Sequence, residues 1–168
     1  MAKLIDYTYF IDKCDIPNIQ DTGQVGTALQ ASIGRYLLKY EPEFLTDLLG
    51  ETLYTALSAG LDEAEPAEVW TNLRDQIVDS TAKVSPIANF TWCQWYKDYA
   101  MSRTGIGDGH PEGGNIKIGT NNRRVATVWN DMVDVMADIA DWVNERLDVY
   151  GDYAPEHVHD KYINDFGI

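Results

Sequence analysis

The sequence predicts an all-α fold, a bundle of five or six helices with a long glycine-rich loop. Three observations carry that reading. Apolar residues recur every three or four positions in most of the chain, the spacing of one helix face. Helix-start chemistry (a capping side chain or a proline at the first turn) precedes those periodic runs. No internal repeat and no alternation of strands with helices emerges, so a parallel sheet has no support. The 168 residues suit a single helical domain, 1–168, able to bury roughly two thirds of its unfolded surface. A small β element at residues 4–11 or 115–118 is the one addition the composition allows.

Residues 1–22 read as an extended segment, because LIDYTYFI mixes aromatic and branched residues with polar ones and Asp15-Ile16-Pro17-Asn18 closes it with turn chemistry. A helix capped by Asp21 or Thr22 follows to about Lys39, with Val25, Leu29, Ile33 and Leu37 inward. Glu41-Pro42 then implies a kink or a new helix, since the residue before proline avoids helical angles. Phe44, Leu45, Leu48 and Leu49 form its apolar face, Gly50 ends or bends it, Leu53, Tyr54 and Leu57 continue the face, and Gly60 is the next stop. Pro66 opens a helix with Trp70, Leu73, Ile77 and Val78 inward.

Ser85-Pro86 is the strongest start signal in the chain. It opens SPIANFTWCQWYKDYAMSR, where Phe90, Trp92, Trp95, Tyr96 and Tyr99 crowd one helix-sized stretch that wants burial on most sides. The next segment, TGIGDGHPEGGNIKIGTNN, holds six of the thirteen glycines and reads as a mobile loop, 104–122. The longest helix is expected from about Arg123 to Tyr150, with Val125, Trp129, Met132, Met136, Ile139, Val143, Leu147 and Tyr150 inward. Residues 151–168 read as a tail in which Tyr162, Ile163, Phe166 and Ile168 are isolated apolar handles.

Thirteen basic against twenty-seven acidic side chains give a formal charge of −14. That field repels polyanions, so tight nucleic-acid binding and attraction to anionic lipid are both disfavoured. No apolar stretch approaches a membrane span. The opening MAKLIDYTYFIDKCD is acidic where a signal peptide would be basic. Cys14 and Cys93 are the only cysteines, and Cys93, inside the aromatic run, reads as a small buried hydrophobe.

Candidate chemistry is sparse. Asp131, Asp134, Asp138, Asp141, Glu145 and Asp148 step by three and four along the longest helix and fall nearly opposite its core face. Like charges so spaced repel by about 0.2–0.5 kcal/mol per pair, and no lysine interleaves in sequence. Such a stripe is ordinarily solvated; its functional reading is a face for a basic partner or the lining of a channel. Gly105, Gly107 and Gly109 in GIGDG superficially suggest a phosphate loop, but they follow a helix where that signature opens one. Lys117, Arg123 and Arg124 form a basic spot at the far end of the loop, a complement for a neighbour's acidic stripe. The pair His157 and His159 lacks the further ligands of a zinc site, and His110 reads as solvated. No catalytic residue, metal site or cofactor is assigned.

Three segments, YEPEFLTDLLGETLY (40–54), SPIANFTWCQWY with TGIG (85–107) and VWNDMV (128–133), together with the closing INDFGI, resemble a family of small proteins encoded by phages and prophages of Bacteroidetes. The resemblance spans most of residues 36–168. It implies a non-enzymatic virion structural protein, similar to the head–tail connector, adaptor or head-completion subunits that assemble into a ring at the portal–tail junction. The implied partners are portal or tail proteins and copies of the chain itself, with DNA passing through a ring lumen without tight binding. The implied location is the host cytoplasm during assembly and then the virion. The interaction residues expected are the loop glycines, the basic spot, the acidic stripe, Tyr162 and Phe166. The alternative reading is an acidic monomeric binding module, a DNA mimic or an inhibitor of a basic partner; a metal-dependent hydrolase using the carboxylates with His157 and His159 ranks below both.

Overall fold

A computed structural model describes residues 3–101, 118–151 and 153–162, with the backbone alone for 99–101 and 118–122. Its elements are α1 (Gln24–Leu49), α2 (Glu51–Leu61), α3 (Glu68–Ile77), α4 (Pro86–Met101) and α5 (Ile118–Asn144). The fold is all-α. An isolated bridge between Asp79 and Val84 is the only β pairing among the described residues.

The N-terminal segment departs from the extended reading, and residues 4–11 form no strand. Short 3₁₀ turns at Tyr7–Tyr9 and Asp12–Cys14 wind it against the helices instead, and Ile5, Tyr9, Phe10, Cys14, Ile16 and Ile19 are all buried. Every polar group of a buried strand needs a partner strand, and none is near; tight turns satisfy the backbone locally. Gln30 fixes the end of the segment by donating from Nε2 to the carbonyls of Ile19 (2.8 Å) and Asp21 (3.2 Å). Of the other small β expectation, 115–117 lie outside the described residues and Ile118 begins α5.

Pro42 starts no new helix, because α1 runs through it from Gln24 to Leu49. Proline removes one helix hydrogen bond, at a cost of about 3 kcal/mol. The turns beyond it bury Phe44, Leu45, Leu48 and Leu49 almost completely, and each such side chain contributes roughly 1.5–3 kcal/mol. Burial therefore outweighs the break. Two smaller expectations for α1 also fail: Gly23, not Asp21 or Thr22, is the N-cap, and Val25 is 64% exposed because the apolar face begins later, at Leu29 and Ile33.

Gly50 ends α1 as expected, at φ +79° and ψ 156°, a conformation open essentially to glycine alone. Gly60 does not stop α2, which continues to Leu61. Its role is steric: a Cβ there would lie 2.1 Å from Cδ1 of Trp70, so the glycine lets α3 close on α2.

The aromatic helix α4 is the central element, packed against both α1 and α5. Ser85 caps it, its Oγ accepting from the Ile87 N–H at 3.3 Å. Ile87, Ala88, Phe90, Thr91, Trp92 and Cys93 are all buried, so this helix is enclosed on most of its circumference. The Phe90 ring lies 5.5 Å from Phe44, 6.0 Å from Tyr40 and 6.1 Å from Trp129, joining α1 to α5 through α4. In α5 the expected positions from Trp129 to Val143 are buried, and Tyr150 is buried beyond the helix end. Leu147 is the exception at 47% exposed, because α5 gives way to turns after Asn144 and the register is lost.

Replacing Phe90 with alanine removes the ring shared by three helices and should cost about 3–5 kcal/mol. Urea unfolding of the two proteins checks this; a loss below 1 kcal/mol would contradict the central role of the ring.

Candidate interaction surface

The acidic stripe is where α5 meets the two ends of the chain. Asp131 is half-buried, and Asp134, Asp138, Asp141, Glu145 and Asp148 are exposed. The lysines missing from the local sequence arrive from elsewhere in the fold. Lys13, from the N-terminal segment, pairs with Asp131, and Lys161, from the tail, pairs with Asp134. Pairs this exposed contribute only about 0.2–1 kcal/mol each, but they relieve the first half of the stripe. The second half is different: Glu145 meets its neighbour Arg146 at 3.3 Å, and no ion pair forms to Asp138, Asp141 or Asp148 among the described residues.

The basic spot is only partly available. Arg124 donates from Nε to the Lys13 carbonyl (2.9 Å) and from a guanidinium nitrogen to that of Asp15 (3.2 Å), and its guanidinium lies 4.9 Å from the centre of the Trp92 ring. It closes the N-terminal segment over α4 while remaining exposed. Arg123 is exposed. Lys117, Gly105, Gly107, Gly109 and Phe166, with His110, lie outside the described residues.

The described part of the tail, 153–162, has no regular secondary structure, as expected, yet it is tied down. Trp129 Nε1 donates to the Asp160 carbonyl at 2.8 Å. Asn130 accepts from the Tyr162 N–H at 2.7 Å and donates to its carbonyl at 3.1 Å, the pairing a strand would offer. The Tyr162 ring rests 5.2 Å from that of Trp129. Tyr162, expected as an isolated handle, is thus a clasp on α5 that keeps 43% of its surface exposed. Near the start of the tail, the Ala154 carbonyl comes so close to Gly50 that a Cβ there would sit 2.1 Å from it.

His159 was the residue least legible in sequence. Its side chain is 10% exposed and packs against Phe90 (5.7 Å), Trp129 (5.1 Å) and His157 (4.5 Å between ring centres). Nε2 lies 3.2 Å from Asp47 Oδ2, within ion-pair reach but without hydrogen-bond alignment. Burial lowers the pKa of His159 below its ordinary 6.5, helped by His157 and Lys97, while Asp47 works against it. The neutral imidazole is therefore the form this pocket prefers. Nothing in the spacing of His157 and His159 announces the arrangement; the only cue was Trp129, which sits on the periodic core face. Among the described residues no group of three or more His, Cys, Asp or Glu side chains is placed to hold a metal ion.

Beside the unrelieved carboxylates runs a shallow groove between α3 and the end of α5, lined by Val69, Trp142, Val149 and Tyr150 with Glu68, Asn72 and Arg146. Tyr150 holds its two walls together by donating to the Val69 carbonyl at 2.9 Å. The Arg146 guanidinium covers Trp142 at 4.4 Å from the ring centre. At 100° per residue Trp142 lies between the core face and the acidic face, so the groove and the carboxylates share an edge. Among the described residues no helix is long and apolar enough to cross a membrane. No protein family, curated protein or solved structure matches the chain.

Two outcomes follow. Because the folded-state pKa of His159 is depressed, its contribution is complete above pH 6.5 and is lost as pH falls below that value toward the folded pKa. Stability should fall as the pH drops below about 6.5, and His159→Gln should flatten that part of the profile; an unchanged profile would exclude the residue as its source. Gly50→Ala should cost about 1–3 kcal/mol from backbone strain alone. It should also displace Ala154, raising amide exchange at residues 157–160, and unchanged exchange there would contradict the close approach.

Proposed function

We propose that the protein is a non-enzymatic structural subunit of a phage particle, a connector or adaptor that joins copies of itself, and portal or tail proteins, at the head–tail junction. The resemblance of the segments at 40–54, 85–107 and 128–133 motivates the class. The observation that carries the reading to a surface is the division of the acidic stripe. Lysines from the two chain ends relieve Asp131 and Asp134, whereas the half bearing Asp138, Asp141, Glu145 and Asp148 stays exposed beside an aromatic groove. Asp138 and Asp141, left in register on α5, oppose one another and the helix they sit on. A partner with basic side chains relieves them and makes the contact favourable.

A ring contact needs two different surfaces on one subunit. The acidic end of α5 supplies one, and the exposed Arg123 at the opposite end of the same helix supports the other. Arg124, exposed beside it, also ties down the N-terminal segment. Electrostatic pairing of this kind sets register and encounter more than affinity. The same carboxylates also support the second reading, an acidic monomeric module for a basic protein. The two differ in assembly: the connector forms or joins rings, and the module remains a monomer with a strongly salt-dependent partner.

Electron microscopy of the protein purified with the portal and tail products of its own genome tests the proposal. Rings that include the chain are expected; a chain that stays monomeric with every such product and is missing from particles would overturn it. Asp138→Lys combined with Asp141→Lys should weaken assembly at least tenfold while leaving the helical circular dichroism unchanged.

A further inference from the structure

Among the described residues, one carboxylate is deeply buried. Glu41, on α1 just before Pro42, is only 5% exposed. Its Oε1 accepts from the Leu4 N–H at 2.9 Å, so this side chain holds the N-terminal segment to the helices. Its Oε2 is fully enclosed and has no hydrogen-bond partner. Leaving such an oxygen unsatisfied costs about 1–3 kcal/mol, and more when it is charged.

Glu41 lines a small cavity together with Leu4, Tyr54, Ser58 and Asp62, closed by Leu45 and Leu61. The cavity offers about 10 Å³ to the centre of a water-sized molecule, close to the least that one water needs. Its size excludes organic ligands. Its wall is polar where Glu41, Tyr54, Ser58 and Asp62 contribute, and polar cavities of this size are hydrated where apolar ones stay dry.

We propose that this cavity is a binding site for one hydrogen-bond donor of water size, held by Glu41 Oε2 between the N-terminal segment, α1 and α2. Internal water and the isosteric ammonium ion are the two sources of that chemistry. The occupant satisfies the oxygen that Leu4 does not reach and so completes the attachment of the N-terminal segment. Burial raises the Glu41 pKa, against the opposing effects of the Leu4 and Ile5 backbone donors and Lys3, in keeping with a carboxylate whose second oxygen no described side chain compensates.

The test uses the full chain, labelled with ¹⁵N and ¹³C, at pH 7. Water-selective cross-relaxation should give a long-lived water signal at the Leu4 or Ile5 amide, with the Glu41 carboxyl carbon at its ionised position. Titration with ¹⁵N-ammonium chloride separates the sources: saturable replacement of the water signal by an ammonium signal identifies ammonium, and an unchanged water signal identifies water. Absence of both signals with a protonated Glu41 carboxyl would overturn the proposal, since its own proton then meets the need. Glu41→Leu should abolish the signal and speed exchange of the Leu4 amide about tenfold or more. Ser58→Val, which spares the Leu4 contact, should weaken the signal several-fold even if Glu41→Leu does not fold. A signal indifferent to Ser58→Val and to Glu41→Leu would come from surface water and would equally overturn the site.

Discussion

Three separate stretches of chain meet on the ring of Phe90, itself on α4. Tyr40 and Phe44 approach it from α1, Trp129 from α5 and His159 from the tail. Aromatic pairs at these distances add about 0.5–1.5 kcal/mol each beyond the area they bury. The arrangement is also directional, because tilted and edge-on contacts fix how each helix is rotated about its own axis. With that rotation set, the acidic face of α5 must point outward. The mobile-looking parts of the sequence are then drawn toward the same centre. Trp129 both packs on Phe90 and donates to the tail, so the tail docks only where the helices have already closed.

Much of the helical plan was legible in the sequence because burial writes itself as periodicity. The stretches around Leu73, around Phe90 and from Trp129 to Val143 were read correctly for that reason. The errors share a physical origin: local rules lost to tertiary burial. Pro42 and Gly60 are helix-breaking residues by propensity, but four buried side chains carry α1 past the first, and a tryptophan from α3 explains the second. The N-terminal segment has strand-like composition, yet with no neighbouring strand its polar backbone is satisfied by 3₁₀ turns and by Gln30.

The candidate surface was half legible. The stripe of carboxylates follows from spacing alone, and its exposure from the position of the core. Which carboxylates carry an uncompensated charge does not follow, because Lys13 and Lys161 lie 118 and 27 positions from their partners. The second role of Arg124 was hidden for the mirror reason, since the N-terminal carbonyls it binds lie far from it in sequence. Charge counted along a helix is a statement about the unfolded chain as much as the folded one. Only after the ends are in place does the stripe divide into a relieved half and an unrelieved half.

The two chain ends are therefore more than appendages. The N-terminal segment is held by a buried carboxylate, the tail by a buried imidazole, and both send a lysine to the same helix. Glu41 and His159 respond to acid in opposite senses: burial favours the uncharged form of each, which acid supplies to the carboxylate and removes from the imidazole. Mild acidification through pH 6.5 thus acts on the tail first and leaves the N-terminal attachment intact. Release of the tail removes Lys161 from Asp134, so the unrelieved part of the α5 face grows toward Trp129. The tail that seats His159 against Phe90 is thus the same segment that brings Lys161 to Asp134.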